Sequence, residues 1–177
     1  RALGLPLSMT TSRGCPFQCI FCVGRKMVGA RVRYRNPVSV VDELAYLSTL
    51  GFHQINLADD LFTANKNHCI AVCDEIMKRG LQLRWTSFAR VDTVSDAVLA
   101  KMKAAGCRAV SFGIESANPQ ILKTIKKGIT LEQVEEAGGH QKEVGVRLVG
   151  LVATAAVAVA AEGSGDVGVG LASDDYP

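Results

Sequence analysis

Three cysteines stand close together in the stretch Thr11-Ser12-Arg13-Gly14-Cys15-Pro16-Phe17-Gln18-Cys19-Ile20-Phe21-Cys22. Neighbours spaced this tightly rarely form a disulfide with one another, so Cys15, Cys19 and Cys22 read as a ligand cluster. Thiolates are soft ligands suited to zinc and to iron–sulfur clusters. On one loop at this spacing they reach three irons of a four-iron cubane and leave one iron open, since such clusters usually take four thiolates. An open iron can chelate a substrate, and that separates a catalyst from an electron carrier. A zinc site and three buried thiols are the other readings. Structural zinc wants a second ligand pair at matching spacing. Cys69 and Cys73 lie four apart on an expected helix and Cys107 in an apolar run, where single buried thiols are common. His53, His68 and His140 share no ligand spacing and read as structural.

The elements that must position this loop alternate along the chain. Short apolar runs at Pro6–Ser12, His53–Asp59, Leu81–Phe88, Cys107–Ile114 and Val144–Val152 are rich in β-branched or aromatic residues, as buried strands are. Between them lie punctuated helices. Asn36-Pro37 opens the first, Val40, Val41, Leu44 and Leu47 form its stripe, and Gly51 stops it. The second spans about Ala64 to Arg79 before Gly80. Ser95 caps the third, with Val94 and Leu99 as a hydrophobic staple and Gly106 as its stop. Asn118-Pro119 starts a short fourth that ends at Gly128. Thr130 and Gln133 form a capping box, stapled by Ile129 and Val134. Strand–helix repetition implies an α/β fold with a parallel sheet and right-handed crossovers. A doubly wound sheet and a (βα) barrel both satisfy it, and both place ligands at the carboxyl ends of the strands. The cysteine loop follows the first run and so belongs at that end.

The 177 residues suffice for one domain with a core. A net charge of +3 is too small to argue for nucleic acid or a membrane surface. The chain opens at Arg1 without a signal-like segment, which reads as a fragment from a reducing cytosol. From Gly138 onward most residues are Val, Ala, Asp, Glu or Gly, and no Lys or Arg follows Arg147. Those five residue types share codons beginning with G, so a shifted reading frame could generate the stretch; a genuine fifth strand followed by a flexible tail is the alternative. The apolar run Leu148–Ala161 is shorter than the ~20 residues that span a bilayer. The expected organisation is therefore a core over residues 1–137 and an atypical segment over 138–177.

At the cysteine motif the chain resembles the radical S-adenosylmethionine (SAM) superfamily, with CxxxCxxC after a first strand and an aromatic before the last cysteine. The likeness continues through Gly29–Pro37, Val41-Asp42-Glu43, Ile55–Thr63 (INLADDLFT), Arg84–Asp92 (RWTSFARVD), Met102–Ser116 (MKAAGCRAVSFGIES) and Lys126–Thr130 (KKGIT). It covers Leu7 to about Ala137 and is most similar to the branch with an N-terminal cobalamin-binding domain.

The resemblance implies a partial (βα)6 barrel, of which four to five βα units are present here. It implies a [4Fe–4S] cluster on Cys15, Cys19 and Cys22 whose open iron chelates SAM, reductive cleavage to a 5′-deoxyadenosyl radical, and hydrogen abstraction from a small-molecule substrate. Flavodoxin or ferredoxin would supply the electron, and any cobalamin would sit in a domain outside this chain. Phe21 falls where the family packs an aromatic near adenine. Asp59 and Asp60 stand in place of the Gly-Gly-Glu motif that binds SAM's amino group, with Asp60 the first candidate and Asp59 the second. Glu115 and Ser116 end the fourth strand near the SAM ribose or amino group, and Arg90 ends the third, placed either for the SAM carboxylate or for a surface or structural ion pair. A methylthiotransferase-like enzyme and a non-enzymatic iron–sulfur or zinc module are the alternatives.

Overall fold

The computed structural model describes residues 6–151. Five strands form one sheet in the order β1 (Leu7–Met9), β4 (Gln54–Leu57), β5 (Arg84–Ala89), β6 (Cys107–Gly113) and β7 (Arg147–Leu151), and every neighbouring pair is parallel. The spatial order follows the chain order, as one strand after another added at the same edge of a barrel requires. The five expected runs are these five strands. A separate antiparallel ribbon, β2 (Ser12–Arg13) with β3 (Arg33–Tyr34), brackets the cysteine loop and the short α1 (Gly24–Val28).

Helix starts follow the expected chemistry. The Asn36 side chain accepts from the Val38 N–H and Pro37 takes the first turn of α2 (Pro37–Thr49). Asn65 caps α3 (Lys66–Lys78) through the Asn67 and His68 amides, a residue beyond the expected start. Ser95 occupies the N-cap of α4 (Asp96–Ala104) without a side-chain cap bond, so Val94 and the fully buried Leu99 carry that entry. Asn118 caps α5 (Pro119–Thr124), which ends sooner than expected, with Lys126 in the left-handed region ahead of Gly128. The Thr130–Gln133 capping box is present in both directions and opens α6 (Leu131–Val144). That helix runs unbroken through Gly138, where the composition changes. The expected tail after Ala161 lies outside the described residues.

The sheet is one-sided. On β5, Trp85, Ser87 and Ala89 are buried while Arg84, Thr86 and Phe88 are exposed. The buried set joins Ile55, Leu57, Val110 and Phe112 with the inner residues of α2, α3 and α4 in one core. Trp85 anchors it, donating from Nε1 to the Ala105 carbonyl at 2.8 Å and meeting Phe62 edge-on. The opposite face is polar: Asn56 bonds Ser8, and Thr86 bonds Asn56 across three strands. Sequence alternation alone does not distinguish such a lining from solvent exposure.

Candidate cluster and cofactor site

Parity along the strands decides what reaches the carboxyl end of the sheet. On β4, Ile55 and Leu57 face the core, and Asp59 continues their alternation at 2% exposure. The Ala58 N–H still bonds the Met9 carbonyl, so the extended ladder carries on to this point. Asp60 falls on the opposite parity and is exposed. By the same count Glu115 continues the open-face set of β6, and Ser116, at 3% exposure, the buried one.

The tandem aspartates grip the start of the cysteine loop. Asp59 accepts from the Thr11 N–H, the Thr11 hydroxyl and the Ser12 hydroxyl, each at 2.6 Å. His68 Nε2 lies 3.4 Å from the same Thr11 hydroxyl, with Tyr34 against its ring. Burial holds the His68 pKa below its ordinary value, and the Asp59 charge works against that shift. Asp60 Oδ2 accepts from the Gly14 N–H at 3.0 Å. Gly14 has φ +115°, and a Cβ there would lie 2.4 Å from the Arg31 carbonyl oxygen, so only glycine lets the loop pass the Arg31–Val32 backbone ahead of β3.

The loop is also tied on its far side. The Ile20 N–H donates to the Ile125 carbonyl and the Cys15 N–H to the Gly29 carbonyl. The buried Arg90 guanidinium lies 3.6 Å from the centroid of Phe17. Its Nε and Nη2 form a fork on Asp92, and Nη2 also reaches the Lys127 carbonyl. Through these contacts Arg90 ties the loop to β5 and to the turn after α5. Lys127 pairs with Glu115 at 3.0 Å and lies 5.8 Å above the Phe21 ring. Glu115 has φ +73°, an unusual conformation for a carboxylate side chain. Gly113 makes room for the pair, because a Cβ there would meet Glu115 Oε1 at 2.6 Å and Lys127 Nζ at 3.0 Å.

Cys15 and Cys19 are half-buried and Cys22 is exposed; all three are free thiols. Burial pushes the Cys15 thiol up, and Cys19, Cys22 and Asp60 push it further, so all three groups lie close enough to repel its thiolate. Three thiols and a carboxylate gathered in this way call for a cationic partner, as an iron–sulfur cluster provides. Among the described residues no three His, Cys, Asp or Glu side chains are placed to hold a single metal ion. Cys69 and Cys107 are also pushed up, Cys69 by its hydrogen bond with Cys73 and by burial, Cys107 by burial; both are core packing.

The superfamily profile described as radical SAM matches residues 9–155. The chain belongs to the radical SAM superfamily. It is 41% identical over 152 residues to an uncharacterized methyltransferase of Pyrococcus horikoshii, covering 85% of this chain and 33% of that protein. An anaerobic magnesium-protoporphyrin IX monomethyl ester cyclase of Rubrivivax gelatinosus is 34% identical over 140 residues, covering 76% of this chain and 25% of its own length. Among solved structures, the radical SAM methyltransferase TsrM from Kitasatospora setae, with cobalamin and a [4Fe–4S] cluster bound, superposes with a TM-score of 0.75 at 26% identity, over 82% of this chain and 30% of that one. The chain thus spans about a third or less of the length of these relatives. The radical SAM match extends past the resemblance visible in the motifs, to the strand at Arg147–Leu151. No helix among the described residues is long and apolar enough to cross a membrane.

Sequence reasoning missed Thr11, His68, Phe17, Asp92 and Lys127 as parts of this candidate site. Thr11 and Ser12 directly precede the cysteine motif, and β4 parity could have paired them with Asp59. Asp92 lies two residues from Arg90 but reaches it only because the chain turns back there, and Phe17, distant in sequence, is brought to Arg90 by the fold.

Proposed function

We propose that this chain is the core of a radical SAM enzyme in which Cys15, Cys19 and Cys22 hold a [4Fe–4S] cluster, with Asp60, Glu115 and Phe21 facing SAM. The observation that supports it most is the placement of the three-cysteine loop at the carboxyl end of a parallel sheet, beside the open-face carboxylates. When bound, the cluster supplies the electron that splits SAM's sulfur–carbon bond and starts radical chemistry on a small-molecule substrate. Asp60 offers an anion suited to the SAM ammonium; its Oδ2 is fixed by Gly14 and its Oδ1 lies next to Gly24. Glu115, held by Lys127, offers acceptors for ribose hydroxyls. The half-exposed Phe21 ring provides an apolar face for adenine. Ser116 accepts from the Asn118 N–H and braces the turn behind Glu115 rather than reaching a cofactor. Asp59 braces the loop in the same sense.

The likeness to TsrM supports cobalamin-dependent methylation as the reaction class, and the cyclase relative supports cyclisation as the second reading. The electron donor in this proposal is an acidic flavodoxin or ferredoxin. Arg13, Arg25, Lys26, Arg31, Arg33 and Arg35 precede the first carboxylate side chain, Asp42, and Ile20, Val23 and Met27 are exposed among them. A cationic rim around apolar residues steers an anionic partner. The reduction rate by such a donor is then expected to fall steeply as salt rises.

Anaerobic reconstitution tests the reading. The full chain should take up about four iron and, on reduction, convert SAM to methionine and 5′-deoxyadenosine. A chain that fills with iron and leaves SAM intact, under conditions where a longer relative cleaves it, would overturn the assignment of the SAM-facing residues.

A further inference from the structure

Arg90 has one terminal nitrogen that its ion pair does not use. Nε and Nη2 serve Asp92 and the Lys127 carbonyl, while Nη1 points at Cys19 Sγ at 3.8 Å. Arg90 is only 6% exposed, so water does little to satisfy Nη1. A neutral thiol is a weak acceptor, whereas a thiolate makes a charge-assisted bond with a guanidinium. The sulfur facing this buried cation is thus better matched to its charged, metal-bound form. Cys22 Sγ has a different donor, the neutral Gly24 N–H at 3.3 Å. The Phe17 ring stacked on the guanidinium holds it in plane and screens it from solvent.

We infer that Arg90 is a positioning residue that sets the reduction potential of the cluster through Cys19, rather than a ligand of SAM. The inference rests on Cys19 being a cluster ligand. Hydrogen bonds to the cluster sulfurs and nearby charge are among the determinants of its potential. Reduction adds negative charge to the cluster and its thiolates. A cationic donor on one thiolate stabilises that state more than the oxidised one and makes the cluster easier to reduce. Asp92 partly offsets the cation, so the two residues pull the potential in opposite directions.

The test uses the full chain, reconstituted without oxygen, with iron content and the midpoint potential read by EPR-monitored redox titration. Arg90→Gln should lower the reduction equilibrium about tenfold, which is about 59 mV for one electron. Arg90→Lys should fall between that variant and wild type, since it keeps charge but loses the fork. Asp92→Asn should move the potential upward, because the guanidinium then acts on Cys19 less compensated. An Arg90→Gln chain with wild-type iron and an unchanged potential would overturn the inference while leaving the cluster assignment intact. If Arg90→Gln cannot retain iron, Asp92→Asn decides: an upward shift supports the inference and no shift refutes it. A wild-type chain that binds no cluster refutes the underlying site reading instead.

Discussion

Replacing Asp59 separates a structural anchor from a SAM ligand. Its carboxylate is 2% exposed and accepts from one backbone N–H and two hydroxyls, with Thr11 and Ser12 themselves buried. In Asp59→Ala the Thr11 N–H loses its carboxylate acceptor in a site closed to water, which costs about 1–3 kcal/mol, and hydrogen bonds to a charged group contribute about 1.5–3 kcal/mol each. The Thr11 hydroxyl keeps His68 as a neighbour, which softens the loss. Removing the carboxylate also removes its desolvation penalty. Because the partners left behind are neutral, no buried charge is stranded, and the balance is a loss of about 2–4 kcal/mol, set by the lost charge-assisted bonds and the unsatisfied N–H. That is a large share of the roughly 5–15 kcal/mol that holds a domain together. Asp59→Asn keeps the shape: its amide oxygen can take the Thr11 N–H, and the hydroxyls can rotate to accept from its NH2. It should cost about 1–2 kcal/mol, the worth of losing charge from hydrogen bonds that persist. Urea unfolding of the cluster-free chain followed by circular dichroism measures both, and iron uptake afterwards reports the loop. The anchor reading fails if Asp59→Ala stays within about 1 kcal/mol of wild type while SAM affinity drops, for that pattern belongs to a ligand.

Single Cys→Ala changes at Cys15, Cys19 or Cys22 should abolish iron uptake, whereas changes at the buried Cys69, Cys73 or Cys107 should lower stability and leave iron stoichiometry intact; equal loss at Cys69 and Cys15 would refute the ligand set. Because the folded pKa of His68 lies below its ordinary 6.5, the unfolded chain takes up the proton first. Its contribution is fully present above that value and is lost as pH falls below it, so the stability gap between wild type and His68→Gln should shift against wild type on acidification, and a gap constant with pH would contradict this. Gly106→Ala should destabilise by about 2–4 kcal/mol, since φ is +96° and the new Cβ would lie 2.2 Å from the Leu83 carbonyl oxygen; a melting temperature unchanged from wild type would show that this turn relaxes freely.

Much of the scaffold was legible because its punctuation is chemical. Asn36-Pro37, the Thr130–Gln133 box and the glycines at 51, 80 and 106 each satisfy a backbone requirement that few other residues meet. The cysteine loop was legible from spacing alone. The one-sided sheet was not, since Ser8, Asn56 and Thr86 read as ordinary breaks in apolar runs until their hydrogen bonds across the strands are known. Arg90 was legible at the end of β5, with a structural ion pair as one of its readings, but its partners were not. A sequence shows that a guanidinium stands at a strand end; it does not show that an aspartate two residues on folds back to occupy the fork while an aromatic from the cysteine loop covers the plane.

The roles of the tandem aspartates at the end of β4 can be divided by parity. Adjacent residues on an extended strand point to opposite faces, so one Asp of a pair must follow Leu57 toward the helices and the other Asn56 toward the open face. The inward one needs donors or it would be an unpaired buried charge, and Thr11 and Ser12 supply three. The outward one spends one oxygen on Gly14 and keeps the other beside Gly24, the residue whose N–H also bonds Cys22 Sγ. A carboxylate so placed shares its loop contacts with the cysteines, so a shift of the loop moves both together. Thr11 and Ser12 lie before the first cysteine and fix where the loop begins; Asp60 fixes where it turns. Neither aspartate can therefore take over for the other, and exchanging the outward Asp60 for Glu should perturb SAM affinity while leaving the buried Asp59 anchor unchanged.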